Sequence, residues 1–127
     1  MLERYRATVV QSVVRPVFRK NGIFRPDALR ENVDHCCELI LNGARLHDSK
    51  LFVLPEFCVH GFELHVPTEA WIEASVTLPG PESERLGRVA RETGAYVAGM
   101  VYEKIKEFPG RYFNTAFIIA PNGEIVL

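Results

Sequence analysis

The sequence predicts an α/β fold in which helices cover a sheet. Short runs that are β-branched or wholly apolar are typical of strands, and they alternate with two longer segments whose apolar residues recur at helical spacing. The order along the chain is strand, helix, strand, a long loop, helix, strand and two further strands. Strands separated by helices favour a parallel sheet with helices packed on it. The 127 residues suffice for one domain or for part of one.

Three runs are predicted to form the parallel part of the sheet. Residues Ala7–Val14 are rich in β-branched side chains, and Leu51–Leu54 form a wholly apolar run that ends at Pro55. A run without polar residues is typical of a strand that is buried on both faces. The third run is Ala95–Tyr102. We expect the three strands to lie in one sheet and to run parallel.

The C-terminal segment predicts an antiparallel hairpin. Tyr112–Ala120 and Glu124–Leu127 are two strand-like runs, and Pro121-Asn122-Gly123 lies between them. Asn-Gly is a favoured pair in hairpin turns because both residues tolerate positive φ. We therefore expect these two runs to pair antiparallel.

The first amphipathic segment predicts a helix that begins at Pro26 and ends between Asn42 and Leu46. Proline suits the first helical turn because its missing N–H has no intrahelical partner there. Acidic residues near the start and basic residues near the end complement the helix dipole. One apolar stripe runs along this segment, and it consists of Leu29, Val33, Cys36, Ile40 and Ala44.

A second helix is predicted over Glu82–Thr93. Pro81 precedes it, and Gly94 follows at the position where helices commonly end in a left-handed residue. Gly87 weakens the prediction slightly because glycine is a poor helix former. The stretch from Phe57 to Leu78 has no clean period, and we expect a loop with a little helix there, of the kind that often carries function.

The composition excludes several function classes. Fifteen Lys and Arg side chains oppose sixteen Asp and Glu side chains, so the net charge is −1. Such balance argues against a nucleic-acid-binding protein or one that binds an acidic membrane, and it favours a small molecule or another protein as partner. No apolar run approaches the ~18 residues of a membrane helix. Residues 1–6 lack the apolar core of a signal peptide.

The three cysteines do not predict a disulfide framework or a zinc site. Cys36 and Cys37 are adjacent, and Cys58 stands alone, which matches no familiar ligand spacing. A cytoplasmic, reducing location is therefore the expectation. Cys36 lies on the apolar stripe, so we interpret Cys36 and Cys37 as core residues and Cys58 as a thiol without a catalytic role.

Glu56 is the candidate catalytic residue. It follows Pro55 at the C-terminal end of a buried strand, where open α/β sheets place their active sites. A carboxylate beside Leu54, Pro55 and Phe57 is expected to be partly desolvated, which raises its pKa toward values useful for a general base. The alternative is a glutamate that faces solvent at the end of a strand, because exposed carboxylates are far more common than catalytic ones.

Other residues are weaker candidates. Lys104 and Lys106 follow a strand and are expected to be solvated. A metal site is not predicted, because His35, Cys58 and His60 lack a recognisable ligand spacing. His60, Trp71 and Tyr102 are candidates for lining a pocket, and their alternative role is packing in the core. Glu103 is a candidate neighbour of the site, and its alternative is a structural or surface role.

The order of several short motifs resembles the nitrilase superfamily of carbon–nitrogen hydrolases. The motifs are an early strand with Gln11, a helix with Asn32, Phe52-Val53-Leu54-Pro55-Glu56-Phe57 with Gly61 after it, Leu78-Pro79-Gly80-Pro81-Glu82-Ser83, Tyr112-Phe113-Asn114-Thr115-Ala116, and Pro121-Asn122-Gly123-Glu124-Ile125-Val126. Each motif alone is a weak signal. Their shared order over nearly the whole chain is specific.

This resemblance implies a fold and a mechanism. The family's fold is a four-layer α-β-β-α sandwich, of which this chain would be the N-terminal portion. Its triad is Glu-Lys-Cys: a cysteine thiolate attacks the amide or nitrile carbon, a glutamate moves protons, and a lysine stabilises the oxyanion. Only Glu56 can be matched here, because the lysine is expected just after residues 124–127 and the cysteine at the end of a later strand. No metal or organic cofactor is implied.

Two functional hypotheses follow from the resemblance. The first is the N-terminal segment of an enzyme that hydrolyses non-peptide amides or nitriles, whose partner is a second copy or a C-terminal half. The segment from Glu56 through the Pro-Gly-Pro motif to the Lys104–Arg111 connection is most similar to aliphatic amidases and formamidases. The second hypothesis is a catalytically inactive, shortened relative that acts as a protein-binding or assembly module.

Overall fold

The computed structural model describes residues 4–127. It contains a four-stranded sheet and three helices in an α/β arrangement. In chain order, the elements are β1 (Arg6–Val9), α1 (Pro26–Leu46), β2 (Ser49–Val53), α2 (Thr68–Ala74), α3 (Pro81–Thr93), β3 (Tyr96–Glu103) and β4 (Phe113–Ile119).

The sheet has the strand order β1-β2-β3-β4. β1 runs parallel to β2, β2 runs parallel to β3, and β4 pairs antiparallel with β3. This confirms the prediction that the first three strands share one parallel sheet. After the Asn122-Gly123 turn, the Val126 N–H donates to the Ile118 carbonyl at 2.8 Å and the Ile118 N–H donates to the Leu127 carbonyl at 2.7 Å. The predicted antiparallel hairpin is therefore confirmed.

The helices follow the local signals in the sequence. α1 begins at Pro26 and ends at Leu46, within the predicted bounds. α3 ends at Thr93, and Gly94 adopts the left-handed conformation with φ 64°. At its other end the Ser83 Oγ accepts the Gly80 N–H at 2.9 Å, which satisfies one of the free donors that a helix N-terminus leaves. The short α2 lies within the stretch predicted as a loop with a little helix.

The first strand is shorter than predicted. Its pairing ends after the Val10 N–H donates to the Val53 carbonyl at 2.8 Å, so the prediction of a strand up to Val14 is wrong. The reason is a competing contact. The Asn32 amide on α1 accepts the Arg15 N–H at 2.8 Å and donates to the Arg15 carbonyl at 3.0 Å, which draws this segment away from the sheet.

The two longer helices cover one face of the sheet. Phe52 of β2 is fully buried, and a Cβ atom added to Gly43 of α1 would lie 3.0 Å from its ring. Register places Val97 beside Phe52, Ile119 beside Val97, and Phe117 beside Gly99, so these side chains share what we call the covered face.

The other face of the sheet, which we call the open face, carries the alternate side chains. Its aliphatic and methionine side chains include Val9 of β1, Leu51 and Val53 of β2, Ala98 and Met100 of β3, and Ala116 and Ile118 of β4. Most of them are half-buried, and Val9 is 81% exposed. Within residues 4–127 the fold therefore has one helical layer and one sheet, which is the first half of the sandwich that the resemblance implies.

Candidate functional site

Glu56 lies just beyond the C-terminal end of β2, where the chain leaves the sheet. The Leu54 N–H still donates to the Ala98 carbonyl of β3 at 2.8 Å, and a turn then begins with the Cys58 N–H donating to the Pro55 carbonyl at 3.3 Å. Leu54 turns into the core, whereas Pro55 and Glu56 emerge from it and are exposed. The expected position at the strand end is observed. Glu56 is exposed, so the expected partial desolvation is not observed among the described residues.

The Glu56 carboxylate is held by a residue far away in the sequence. The Asn114 Nδ2 donates to Glu56 Oε1 at 2.8 Å, across a separation of 58 residues. Phe117 and Ile119 of β4 turn to the covered face, so the alternation of a strand places Asn114 on the open face. The carboxylate is thus oriented toward the face that the helices leave uncovered.

Tyr102 is an aromatic neighbour of this contact. It pairs directly with Asn114 across β3 and β4, so both side chains leave the sheet on the same side. Burial raises the pKa of the Tyr102 phenol, and the nearby Tyr112 and Glu56 raise it further. Tyr102 therefore remains a neutral hydroxyl close to the carboxylate.

An aromatic cluster surrounds Tyr102. Its ring centroid lies 4.9 Å from that of Trp71, 5.2 Å from that of Tyr112 and 6.1 Å from that of Phe57. His60 is buried beneath it, with ring centroids 5.3 Å apart. The structure thus brings Tyr102, Trp71 and His60 together. Tyr102 lies near Glu56, while Trp71 and His60 are core residues.

The thiols offer no accessible nucleophile. All three cysteines are free and buried. Contact with the Cys58 thiol, followed by burial, raises the pKa of Cys36, and burial raises the pKa of Cys37 to about 12. Cys36 and Cys37 are therefore neutral core groups at physiological pH, as predicted for these two residues. Cys58 is buried although it lies two residues after Glu56.

The other candidates do not assemble into a site. Lys104 and Lys106 are exposed, as predicted, and Glu103 is half-buried at the end of β3. Among residues 4–127, His, Cys, Asp and Glu side chains form no group of three or more that could hold a metal ion. Within the same part of the chain, no helix is both long and apolar enough to cross a membrane.

Asn114 is the site residue that reasoning from the sequence missed. It stood within the Tyr-Asn-Thr motif, which located the strand but not the partner of its side chain. The arrangement has a clear chemical consequence. One oxygen of the carboxylate accepts a hydrogen bond from the amide, which orients the group. The other carboxylate oxygen keeps the capacity to accept a proton.

Comparison with known proteins gives concordant matches. A family model described as carbon–nitrogen hydrolase matches residues 7–127. The chain is 29% identical over 126 residues to omega-amidase NIT2 of Xenopus tropicalis, which covers 99% of this chain and 39% of that protein. It is 34% identical over 80 residues to a formamidase of Bacillus cereus, covering 61% of this chain and 23% of the formamidase.

The fold is likewise similar to a solved structure. An N-terminal amidase superposes with a TM-score of 0.70 at 18% identity, over 95% of this chain and 26% of the amidase. At this identity the likeness concerns the fold alone. The chain therefore spans well under half the length of each of these proteins.

Proposed function

This chain belongs to the carbon–nitrogen hydrolase family, and we propose that it forms the N-terminal segment of a hydrolase that acts on small, non-peptide amides, with Glu56 as its general base. The observation that carries the proposal is the Asn114–Glu56 contact of 2.8 Å at the C-terminal end of β2. A general base must be held in one orientation to be effective, and an exposed glutamate without a partner is not so held.

The proposed mechanism assigns Glu56 four proton transfers. It takes the proton of a cysteine thiol as the thiolate attacks the amide carbon, and it delivers that proton to the leaving amine. It then takes a proton from the water that attacks the thioester carbonyl, and it returns that proton to the cysteine sulfur as the C–S bond breaks. The cysteine, and the lysine that stabilises the oxyanion, are not matched within these 127 residues. In this proposal they belong to the complete enzyme.

The substrate class rests on the relatives. The matched proteins include an omega-amidase and a formamidase, which favours an amide over a nitrile as the bond that is cleaved. The fold alone does not decide the substrate, because loops and residues outside this chain shape the pocket. The proposal is therefore a small-molecule amide, with a simple nitrile as the competing substrate.

The proposal includes an incomplete domain and a partner surface. We propose that residues 1–127 are part of one hydrolase domain and that a C-terminal half or a second copy covers the open face. The apolar side chains of that face, with Val9 81% exposed, support this arrangement. A cytoplasmic location also belongs to the proposal, and the three free thiols are consistent with a reducing compartment.

The proposal is tested by reading the coding DNA beyond Leu127 and expressing the complete reading frame. Ammonia release from formamide, acetamide and a simple nitrile is then measured for the wild type and for Glu56→Gln. We expect the substitution to reduce kcat/KM by several orders of magnitude, as the loss of one triad member typically does. The matched control is Glu92→Gln, an exposed glutamate on α3, which should retain full activity. Equal activity of the two variants contradicts the assignment of Glu56.

The competing function is a non-catalytic module that binds another protein through the open face. The same exposed apolar side chains favour it. A stop codon after Leu127, followed by unrelated sequence, would support this alternative, whereas an in-frame continuation with lysine and cysteine motifs supports the enzyme. Residues 1–127 alone should release no ammonia under either hypothesis, because only one member of the triad is matched in them.

A further inference from the structure

His60 is placed where it can control the position of Glu56. It lies four residues after Glu56, in the turn that leaves β2, and it is only 2% exposed. The Gly61 N–H donates to the Phe57 carbonyl at 2.8 Å, which closes the turn that contains His60. A buried polar ring must find hydrogen-bond partners within the protein.

The two ring nitrogens of His60 contact the backbone of two other segments. Nε2 lies 3.1 Å from the Ala74 carbonyl oxygen at the end of α2, and the Tyr102 N–H of β3 points at Nδ1 across 3.4 Å. A carbonyl only accepts and an amide N–H only donates, so Nε2 must carry the proton and Nδ1 must not. Both contacts exist together only in the neutral ring. Burial favours the same state, because it lowers the pKa of His60 to about 4.

These contacts connect His60 to Glu56 through strands β3 and β4. Tyr102, whose N–H reaches His60, is paired with Asn114 across β3 and β4. Asn114 in turn donates to the Glu56 carboxylate at 2.8 Å. The turn that carries Glu56 is therefore attached to the end of β3 at His60 and to β4 at Asn114, so the two attachments fix the carboxylate relative to the sheet.

We propose that His60 is a positioning residue for Glu56, whose neutral imidazole links the turn after β2 to Tyr102 and so keeps the Glu56 carboxylate within reach of Asn114. This inference rests on the proposed role of Glu56 as a base. It does not make His60 a catalytic residue, because its two nitrogens are both engaged with backbone groups. A purely structural role for His60 would lower stability on substitution but leave the Asn114–Glu56 contact as it is.

The test is nuclear magnetic resonance on the isotopically labelled chain, which needs no turnover. Long-range nitrogen–proton correlations on the wild type should show His60 protonated at Nε2 alone at neutral pH. The side-chain amide of Asn114 reports the contact with Glu56, and Glu56→Ala supplies its resonances in the uncoupled state. In His60→Phe, which keeps a ring but removes both contacts, we expect these resonances to move at least halfway to the Glu56→Ala positions.

Two further variants keep the test decisive. His60→Asn offers an oxygen near the position of Nδ1, so it should restore the Asn114 resonances toward wild type. Ser83→Ala removes a buried hydroxyl of α3 and should destabilise the chain without moving them. A proton on Nδ1 in the wild type overturns the proposal even if His60→Phe does not fold. Unchanged Asn114 resonances in a folded His60→Phe also overturn it.

The outcome is independent of the proposed function. Full amidase activity in Glu56→Gln would contradict the catalytic assignment, yet the resonances of Asn114 would still show whether His60 positions the carboxylate. Conversely, a His60→Phe variant of the complete enzyme that keeps Asn114 in place and loses activity would assign His60 another role.

Discussion

The two faces of the sheet use similar residues for different purposes. On the covered face, Phe52, Val97 and Ile119 are completely buried beneath α1 and α3. On the open face, Leu51, Val53 and Ile118 are apolar as well, but they are only half-buried. Both faces are therefore apolar enough to pack against another layer. Among the described residues, only the covered face has such a layer, which α1 and α3 form.

The difference separates the packed side of the sheet from the side that carries the proposed site. The free energy of folding should come mainly from the covered face, because the transfer of apolar surface from water scales with the area that is buried. The open face carries the oriented carboxylate of Glu56 at its edge, next to Tyr102 and Asn114. A second layer on this face would both bury apolar side chains and enclose the carboxylate, so assembly and activity should be linked.

The largest expected effect is a contrast between two neighbouring isoleucines of β4. Ile119→Ala, on the covered face, should lower the free energy of unfolding by about 4 kcal/mol, because truncation leaves a cavity in a fully packed core. Ile118→Ala, on the open face, should cost only about 1 kcal/mol, because its side chain is already partly in water. Urea unfolding followed by circular dichroism measures both. Equal losses would show that the open face is packed in solution.

The sequence predicted the elements of this fold better than their long-range contacts. The helix signals are local: Pro26 at the start of α1 and Gly94 after the end of α3 gave bounds that the structure confirms, and the predicted start of α3 at Glu82 is one residue late. Gly87 weakened the prediction for α3, because the need for glycine at this position comes from a contact with a distant segment. A Cβ atom there would lie 2.8 Å from the Gly123 carbonyl oxygen of the hairpin turn, so the glycine is required by close packing.

The site was predicted only in part, for the same physical reason. The position of Glu56 follows from a strand end, which the sequence shows directly. Its partner Asn114 is 58 residues away, and only the register of β3 and β4 brings them together. Likewise, the early end of β1 depends on the contact between Asn32 and Arg15, which no periodicity could indicate.

The second prediction concerns the pH dependence of stability that arises from His60. The pKa of His60 is lowered from 6.5 to about 4 by burial, the effect of which exceeds the opposing effect of the Ala74 carbonyl. Between these pH values the unfolded chain binds a proton that the folded chain does not, so unfolding becomes easier as pH falls. The contribution is complete above pH 6.5 and is lost toward pH 4, by about 3 kcal/mol in total.

Neighbouring charges do not explain this shift. On the elements packed around His60, Tyr102 stays neutral, and the carboxylates of Glu56, Glu73 and Glu103 would raise the pKa of an imidazole. Unfolding free energies at pH 7 and pH 5 should therefore differ less in His60→Asn than in the wild type. His47→Gln, at an exposed histidine, should retain the wild-type difference. A histidine resonance for His60 that titrates near pH 6.5 contradicts the prediction.

The third prediction tests how closely the hairpin turn packs on α3. Gly87→Ala should improve helix propensity by about 1 kcal/mol, but the added Cβ would meet the Gly123 carbonyl oxygen at 2.8 Å. Backbone atoms cannot yield cheaply, so we expect a net loss of about 1 kcal/mol. Thermal unfolding measures it. An increase in stability would show that the hairpin turn is not seated on α3 in solution.

The fourth prediction concerns association of the chain through the open face, and it involves the smallest change in stability. Val9 is 81% exposed on the open face, whereas Val13 is 82% exposed and lines a cavity beside α1 with Glu31 and Glu38. Val9→Lys and Val13→Lys should each alter the free energy of unfolding by less than about 0.5 kcal/mol, since neither valine is packed.

If the open face joins a second copy of the chain, a lysine at Val9 places an unpaired charge in that interface and should shift the protein toward monomer. Lysine at Val13 should leave the distribution of species unchanged. Light scattering and sedimentation over a range of concentrations measure this directly, and two variants that associate as the wild type does would place the self-association surface elsewhere. A wild-type chain that is monomeric at every concentration would leave a C-terminal half as the proposed cover for this face.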